Sequence, residues 1–377
     1  MSLGALPPVA TTGPVRIVGT GLLGASIGLS LTTRGVDVVL HDSSRTALAL
    51  ARDVGAGRLP SDRDEAMRLI VVAAPPDVTA EVVIAELAAH PEAVVTDVAS
   101  VKGAVLDELV AAGADLSRYV GSHPMAGRER SGPTAARADL FAGRPWVIAG
   151  SGHSSEDAVL AVRQLAVDLG ATPVTMEARE HDAAVAVVSH VPQVIASLVA
   201  ARLADAPAAA LDLSGQGLRD VTRIASSDAP LWTSILAANA TAVRSVLMDL
   251  RSDLDVVIDA LAEADAAAPH GSAAVGALGA LARTVTAGNL GVARIPGKHG
   301  GAPRHYEVVT VLVPDAPGEL ARLFADAGDA GVNIEDLQLE HSPRQPVGLA
   351  MISVLVGRSE ALERELVARG WRVANRG

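Results

Sequence analysis

Length, composition and charge limit what this sequence can encode. The chain has 377 residues, of which 49% are hydrophobic and 20% charged, so it can bury more than one core and we expect two or three domains. Its formal net charge of −12 argues against a nucleic-acid or anionic-membrane surface, because both need a dense basic face. The chain has no cysteine, which excludes disulfides, thiolate metal sites and a cysteine nucleophile.

Targeting and metal-binding signals are also weak. Residues 1–13 lack a basic region and contain Pro7 and Pro8, which is not typical of a signal peptide. No uncharged apolar run approaches the roughly 20 residues that span a bilayer. The ten histidines form no HxxxH pair and the acidic residues are scattered, so we expect no metal site. These features predict a cytoplasmic protein without membrane or nucleic-acid partners.

The first predicted domain covers residues 14–175. Short β-branched runs alternate there with helix-like segments, which predicts a Rossmann-type α/β domain built on a parallel sheet. The predicted strands are Val15–Val18, Val36–Leu40, Leu69–Ala74, Val94–Asp97, Tyr119–Ser122 and Trp146–Ala149.

A glycine motif follows the first predicted strand. Residues 19–24 match GxGxxG at the start of a helix, where glycines permit a tight turn, backbone contact with a pyrophosphate and close packing. The helix N-terminus then favours the phosphates. Asp42, 18 residues after Gly24, would bind the ribose hydroxyls and repel a 2′-phosphate, which favours NAD, although Arg45 weakens that preference. The expected cofactor contacts are Gly19, Gly21, Leu22, Leu23, Gly24, Asp42 and Pro75.

Two polar residues follow later strands of the predicted sheet. Ser100 follows the strand that ends at Asp97, and His123 follows the strand Tyr119–Ser122. Ligands of open α/β sheets lie beyond the carboxyl ends of the strands. An imidazole that titrates near neutrality can accept a proton from an alcohol as hydride leaves its carbon. We therefore predict that His123 and Ser100 are catalytic.

Residues 176–287 are almost wholly helical in pattern and predict an all-α domain for substrate binding and dimerisation. Pro192 lies inside this pattern and should kink its helix, because the Val188 carbonyl loses its donor. A polar stripe beside it, which could instead face solvent, contains His190, Gln193 and Ser197. A heptad seam fits either an intramolecular bundle or a contact between subunits, and consists of Val243, Leu247, Leu250, Leu254, Val257 and Leu261.

The C-terminal part of the chain changes character again. Residues 288–304 are rich in Gly, Pro and basic residues and predict a linker. Residues 305–377 have the order βαββαβ, which is typical of a ferredoxin-like domain. The predicted elements are the strands Tyr306–Val313, Val332–Leu339, Val347–Val356 and Trp371–Val373 and the helices Leu320–Ala330 and Glu360–Ala368.

Five motifs together resemble the prephenate and arogenate dehydrogenases. They occur in the order of that family and read GTGLLGASIG, TDVASVKG, GSHPMAGRERSG, SHVPQ and RDVTRIASSDAPLW. Residues 315–320 (DAPGEL) and 331–334 (GVNI) resemble an ACT domain, an amino-acid-sensing module. The resemblance covers nearly the whole chain.

The resemblance implies NAD-dependent oxidative decarboxylation of prephenate to 4-hydroxyphenylpyruvate in tyrosine biosynthesis, or alternatively of arogenate to tyrosine. Hydride leaves the hydroxyl-bearing ring carbon for NAD, CO₂ leaves the opposite carbon, and the ring becomes aromatic. His123 would accept the hydrogen bond of the hydroxyl and Ser100 would support it. Arg223 would bind the substrate carboxylate. The other substrate contacts would be Gln193, His190, Trp232, Arg128 and Glu129, although Trp232 could instead fill the core.

Two residues depart from the family pattern. Gln193 stands where the prephenate-type motif often has a second histidine, and Arg128 stands where members often have threonine. The choice between prephenate and arogenate therefore stays open. The resemblance also implies a tyrosine site at an interface between paired ACT domains of a homodimer, formed by Asp315, Gly318, Asn333 and Ile334.

Two other functions deserve comparison. Other β-hydroxyacid dehydrogenases would share the glycine loop, but they usually rely on a lysine in the helical domain, and residues 185–265 contain none. A non-catalytic sensor of NAD and amino acids belongs to a different class. The presence of His123, Ser100 and Arg223 together argues against it.

Overall fold

The computed structural model describes residues 9–62, 66–127, 132–267, 274–296, 306–341 and 347–374. The chain divides into two compact units. The first consists of Met1–Ala206 and Val221–Asp249, and the second of Pro207–Asp220 and Leu250–Gly377.

The first unit contains a seven-stranded sheet flanked by helices. Its strands are β1 (Val15–Val18), β2 (Val38–His41), β3 (Leu69–Val72), β4 (Val94–Asp97), β5 (Tyr119–Pro124), β6 (Pro145–Gly150) and β7 (Thr172–Thr175). The flanking helices are α1 (Leu22–Thr32), α2 (Arg45–Asp53), α3 (Pro76–Ala89), α4 (Gly103–Ala111) and α5 (Glu156–Asp168). Because helices cover both faces, central strands such as β3 are apolar and wholly buried.

The strand order is β2-β1-β3-β4-β5-β6-β7. The chain moves to one side of β1 for β2 and to the other side for β3, which creates a topological switch point at the carboxyl ends of β1 and β3. Neighbouring strands pair in parallel from β2 through β5. The predicted Rossmann-type domain is thus confirmed.

Two details of the predicted sheet were wrong. Strand β6 pairs antiparallel with β5, because the described part of their connection contains a short 3₁₀ turn at Pro133–Ala135 and no α-helix to carry the chain back. Strand β7, which the sequence did not predict, pairs in parallel with β6 at the edge of the sheet. It is short and contains Pro173, a residue that sheets tolerate at their edges.

The helical part of the first unit begins with a long interrupted helix. It consists of α6 (Ala178–Val185), a π-helical turn (Ala186–His190) and α7 (Val191–Ala201). The disturbance expected at Pro192 takes the form of this π turn, in which the Val191 N–H donates to the Ala186 carbonyl. By length and composition alone the stretch Ala178–Ala201 could cross a membrane, although a third of its most apolar window is buried in the protein. Its buried polar residues instead indicate a core helix.

The remaining helices are α8 (Ala208–Leu211), α9 (Gln216–Thr222), α10 (Ala229–Ala238), α11 (Ala240–Ala267) and α12 (Val275–Val292). The N-terminal end of the heptad seam is buried, since Val243 packs with Ala186 and Val191 in the first unit. Farther along α11, Leu254 and Leu261 are 58% and 53% exposed. Helix α12 continues to Val292 and so corrects the predicted start of the linker, because its last turn keeps helical backbone hydrogen bonds despite its glycines.

The second unit ends in a four-stranded sheet of order β11-β8-β10-β9 with antiparallel neighbours. The elements are β8 (Tyr306–Pro314), α13 (Glu319–Asp329), β9 (Asp336–His341), β10 (Val347–Leu355), α14 (Ser359–Ala368) and β11 (Arg372–Val373). This is the predicted βαββαβ order. Strand β9 begins later than predicted, at Asp336 rather than Val332, because residues 333–335 connect α13 to the sheet. The core of the sheet includes Val311, Leu323, Ile352, Leu362 and Trp371.

Candidate active site

The glycine loop lies between β1 and α1 at the switch point. Gly19 has a φ of +96°, and a Cβ there would lie 2.4 Å from the Ala73 carbonyl oxygen. A Cβ on Gly24 would lie 1.9 Å from the Gly19 carbonyl oxygen, so these two positions require glycine. Gly21 begins α1, and no atom lies within 4 Å of its Cβ position. The loop therefore offers open backbone and a free helix N-terminus, which fit a pyrophosphate.

Asp42 follows β2 and is tied to the glycine loop. Its Oδ2 accepts hydrogen bonds from the Thr20 N–H at 2.6 Å and the Thr20 hydroxyl at 2.7 Å, and its Oδ1 accepts one from the Ser44 N–H at 2.7 Å. The carboxylate is thus held beside the loop, where the ribose of a dinucleotide is expected. Pro75 precedes α3 just beyond β3, at the same edge of the sheet.

A buried ion pair supports the loop that carries Ser100. The Lys102 ammonium donates to Asp97, whose other oxygen accepts a hydrogen bond from the Tyr119 hydroxyl at 2.7 Å. Asp97 also accepts from the Ala99 N–H at 2.9 Å. All of these side chains are buried, whereas Ser100 is half-buried. The network fixes the turn between β4 and α4, and with it the place of Ser100.

His123 lies in β5 and contacts a second histidine. Its Nδ1 is 2.8 Å from the Nε2 of His181, and the two rings meet edge to face with centroids 5.1 Å apart. The Nδ1 of His181 is in turn 2.8 Å from the Oδ1 of Asp182. Asp182 accepts two backbone N–H groups at the start of α4, from Lys102 and Gly103, both at 2.8 Å. The sequence did not predict roles for His181 or Asp182.

His190 lies in the π turn and has a different set of contacts. The Asn239 amide donates to the Asp182 carbonyl at 2.8 Å and to the His190 Nδ1 at 3.0 Å. Because His190 accepts at Nδ1, the proton of its neutral ring lies on Nε2. Its ring centroid is 6.0 Å from that of Trp232, edge to face. Trp232 is half-buried.

Burial controls the protonation of these groups. It lowers the pKa of His123 well below its ordinary value of 6.5. The neighbouring groups that lower it further are His181, Lys102 and His190. Burial also lowers the pKa of His190 to about 4. For Asp182, burial alone would raise the pKa, but the hydrogen bonds from His181 and from two backbone N–H groups outweigh it and the pKa is lowered. Near neutral pH both histidines are therefore neutral and Asp182 is ionised.

Gln193 is buried in α7 and held by two serines. Its amide nitrogen donates to the Ser197 hydroxyl at 3.3 Å, and its oxygen accepts from the Ser227 hydroxyl at 3.2 Å. The interpretation of this stripe as solvent-facing was thus wrong for Gln193 and His190, which pack toward other elements of the first unit, whereas Ser197 is exposed.

The remaining predicted substrate contacts are less constrained. Arg223 is exposed and begins a 3₁₀ turn, Arg223–Ala225, directly after α9. Arg128 and Glu129 lie outside the described residues. Within the described residues, no cluster of three or more histidine, aspartate and glutamate side chains could hold a metal ion.

The predicted effector residues fall at two places in the C-terminal domain. Asp315 and Gly318 lie between β8 and α13, and Gly318 begins that helix with a φ of +92°. Asn333 and Ile334 follow the end of α13, and the Asn333 amide donates to Glu335 at 2.7 Å. Helix α13 has 11 residues and is ~16 Å long. The two pairs therefore lie beyond opposite ends of this helix.

Comparison with known proteins identifies the family. Residues 27–175 match the family model for the prephenate dehydrogenase nucleotide-binding domain, and residues 177–268 match the one for the prephenate dehydrogenase dimerization domain. The chain is 39% identical to the probable prephenate dehydrogenase NovF of Streptomyces niveus, over 94% of this chain and 98% of the relative. It is 30% identical to the cyclohexadienyl dehydrogenase of Zymomonas mobilis, over 67% of this chain and 89% of the relative.

A solved structure shares the fold. It is the crystal structure of prephenate dehydrogenase from A. aeolicus in complex with hydroxyphenyl propionate and NAD+, with a TM-score of 0.62 and 24% identity. The similarity covers 74% of this chain and 97% of that one. Together with the extent of identity to NovF, these matches show that the chain belongs to the prephenate dehydrogenase family.

Proposed function

We propose that this protein is an NAD-dependent prephenate dehydrogenase that converts prephenate to 4-hydroxyphenylpyruvate. One observation carries the proposal: an open dinucleotide loop and the buried, neutral imidazole of His123 lie at the same carboxyl edge of one sheet. Membership of the family supplies the substrate class. A neutral, desolvated imidazole at the same edge of the sheet as a cofactor loop is suited to accept the proton of a substrate hydroxyl.

The residues have separate roles in this proposal. When bound, NAD⁺ accepts the hydride from the hydroxyl-bearing carbon. His123 accepts the hydroxyl proton, and Ser100, on the turn fixed by Asp97, donates a hydrogen bond to the same oxygen. Arg223 binds a substrate carboxylate through charge-assisted hydrogen bonds. Release of CO₂ makes the ring aromatic, so orientation of the substrate supplies much of the catalysis.

The pocket walls are proposed on the same basis. His190 presents a neutral Nε2–H, and Trp232 beside it supplies an apolar surface for the substrate ring. Gln193 contacts the side chain that distinguishes prephenate from arogenate. Arg128 and Glu129 lie close in sequence to His123 and are proposed to shape the mouth of the site.

A second candidate function is arogenate dehydrogenase, which would form tyrosine directly. It is favoured by Gln193, a neutral amide whose two serine contacts supply no positive charge against the ammonium group of arogenate. A histidine there could become cationic and favour the ketoacid side chain. We therefore expect prephenate to be accepted with measurable arogenate activity.

The test is a side-by-side assay of both substrates with NAD⁺ and NADP⁺, followed at 340 nm. We expect NADH formation with prephenate, and NAD⁺ used at least ~10-fold more efficiently than NADP⁺, because Asp42 repels a 2′-phosphate by roughly 1.4 kcal/mol. Equal kcat/KM values for the two cofactors would show that Arg45 outweighs Asp42. Binding of NAD⁺ without turnover of either substrate would instead support the non-catalytic sensor.

We also propose an organisation around this reaction. Residues 14–175 bind the cofactor, 176–292 bind substrate and dimerise, and 305–377 form an ACT-type regulatory domain, with the linker beginning after α12 ends at Val292. The match to a dimerization domain supports a homodimer. Biosynthetic activity of this type fits a cytoplasmic location. Tyrosine is the proposed effector, bound between paired C-terminal domains, because Gly318 and Asn333 lie at opposite ends of α13 within one chain.

A further inference from the structure

We infer that His181 and Asp182 are positioning residues that hold His123 in the tautomer whose proton lies on Nδ1, so that Nε2 presents a lone pair to the substrate hydroxyl. This inference rests on the proposed function for its chemical meaning, but its geometry stands independently. It follows from a chain of hydrogen bonds that begins at a helix N-terminus and ends at His123.

The first step concerns Asp182. Its carboxylate accepts the N–H groups of Lys102 and Gly103 at the start of α4. Backbone N–H groups can only donate, and the positive end of a helix dipole stabilises an anion. A Cβ on Gly103 would lie 2.8 Å from Asp182 Oδ2, so glycine is needed for this close approach. Asp182 is therefore fixed as an ionised acceptor.

The second step concerns the protons of His181 and His123, and it follows from the role of Asp182 as an acceptor. Because ionised Asp182 cannot donate, the His181 Nδ1 at 2.8 Å must carry a proton and donate it. In this inference His181 is neutral, which leaves its lone pair on Nε2. That atom lies 2.8 Å from His123 Nδ1, which must therefore carry the proton of its own ring. His123 is left with a free lone pair on Nε2, the nitrogen that can act as a base.

The order of donors also matters as the reaction proceeds. When His123 Nε2 takes the hydroxyl proton and the hydride passes to NAD⁺, the imidazole ring becomes cationic. Its Nδ1–H still donates to His181, and His181 still donates to ionised Asp182. Two hydrogen bonds in series therefore connect the new positive charge on His123 to the Asp182 carboxylate, which stabilises it. The opposite tautomer of His123 would offer Nε2–H to the hydroxyl and could not accept its proton. In serine proteases, a wrong tautomer of the catalytic histidine costs ~10⁴-fold in kcat.

The direct test is ¹⁵N NMR of the full-length protein labelled with [¹⁵N]histidine, at a pH where His123 is neutral. The signals of His123 are identified by their loss in His123→Asn. We expect a protonated Nδ1 and an unprotonated Nε2 in the wild-type protein. A protonated Nε2 in the wild type would overturn the inference, and this measurement needs no altered His181.

Two substitutions at His181 test whether this residue positions His123 or only supports the fold. His181→Phe keeps a ring but removes the acceptor, whereas His181→Gln places an amide oxygen near the former Nε2. We expect His181→Phe to lower kcat ~10²-fold with substrate KM within about threefold of wild type, and His181→Gln to recover at least ~10-fold of the loss. His153→Phe, at an exposed histidine of the same unit, is the matched control and should leave kcat unchanged.

The outcomes distinguish this inference from the proposed function. Wild-type kcat and an Nδ1-protonated His123 in His181→Phe would refute a role for His181 in setting the tautomer. An inactive wild-type protein whose His123 carries its proton on Nδ1 would refute the proposed function and leave the inference intact.

Discussion

At the scale of single residues, His123 is the side chain whose loss should matter most to the chemistry. Its buried imidazole cannot be replaced by an amide, which accepts a hydrogen bond but does not take up a proton near neutral pH. We expect His123→Asn to lower kcat by ~10²–10⁴-fold while the Kd for NAD⁺ changes little. Stopped-flow assays with prephenate and NAD⁺ titrations measure the two quantities. Activity within threefold of wild type would place the base elsewhere.

We expect the same imidazole to set the acid limit of activity. His123 accepts a proton only when neutral, so activity is lost as pH falls through its pKa. Because burial lowers that pKa well below 6.5, the neutral form persists into mildly acidic solution. We expect kcat/KM for prephenate to stay level from about pH 8 to 6.5 and to fall only below 6.5. A fall centred at or above pH 6.5 would contradict this, and the residual activity of His123→Asn should lack this acid limb.

Gln193 should tune the choice of substrate rather than the rate of the chemical step. Its oxygen and nitrogen are held by Ser227 and Ser197, which orient a neutral amide in the proposed pocket wall. We expect Gln193→His to shift the kcat/KM ratio toward prephenate by ~3–30-fold, the scale of one altered polar contact. Ser197→Ala, which removes one of the serine partners, is a useful comparison. An unchanged ratio in Gln193→His would assign the preference to other residues, such as Arg128.

Some residues of the candidate site could be predicted from the sequence, and others could not. The proposed roles of Ser100 and His123 could be predicted because Ser100 follows β4 and His123 lies near the end of β5, both at the ligand-binding edge of the sheet. His181 and Asp182 could not, because their role depends on the packing of α6 against the start of α4, a contact between residues 80 positions apart. The adjacent His-Asp pair shortly before SHVPQ was the available signal. Lys102 belongs to the TDVASVKG motif, but its burial with Asp97 depends on tertiary packing that the motif does not show.

At the scale of elements, apolar patterns predicted helices and strands well where at least one face is buried. β1 and β4 begin and end as predicted, and the two C-terminal helices shift by only a residue. The direction of a strand was harder to predict, because the antiparallel direction of β6 depends on the connection that precedes it and not on its own residues. Edge strand β7 carries little apolar pattern because it is mostly exposed. The sequence did not decide whether the heptad seam packs within the chain or between subunits. The physical reason is that the seam is buried at Val243 and exposed at Leu254.

The exposed end of that seam predicts a contact between subunits. Leu254 is 58% exposed although it continues a stripe that is buried at Val243. An arginine at this position would bury an unpaired charge in a dimer. We expect Leu254→Arg to raise the dimer Kd by at least ~10-fold. Light scattering after size-exclusion chromatography, over a dilution series, measures this. Asp253→Arg, an exposed neighbour in the same helix, is the control and should remain as dimeric as wild type.

At the scale of the whole molecule, regulation requires the C-terminal domain to act on a reaction carried out elsewhere in the chain. We expect tyrosine to inhibit the full-length protein. A chain that ends at Pro296 should remain active but lose that inhibition. In the full chain, Asn333→Ala should raise the tyrosine concentration for half-inhibition at least ~10-fold, since one polar contact is worth about 1 kcal/mol or more. The exposed Gln338 on β9 provides the control, Gln338→Ala. Undiminished inhibition of the shortened chain would place tyrosine in the active site.

The separation of the two proposed effector loops makes a stricter experiment possible. If Asp315 of one subunit and Asn333 of its partner form each site, then Asp315→Ala and Asn333→Ala each damage both sites of a homodimer. A heterodimer of the two variants has one site with both substitutions and one intact site. In an equal co-expressed mixture, half of the dimers are mixed, so about a quarter of the wild-type tyrosine sites should return. Calorimetric titration counts these sites. If the mixture binds no more tyrosine than either variant alone, each site must be completed within a single chain.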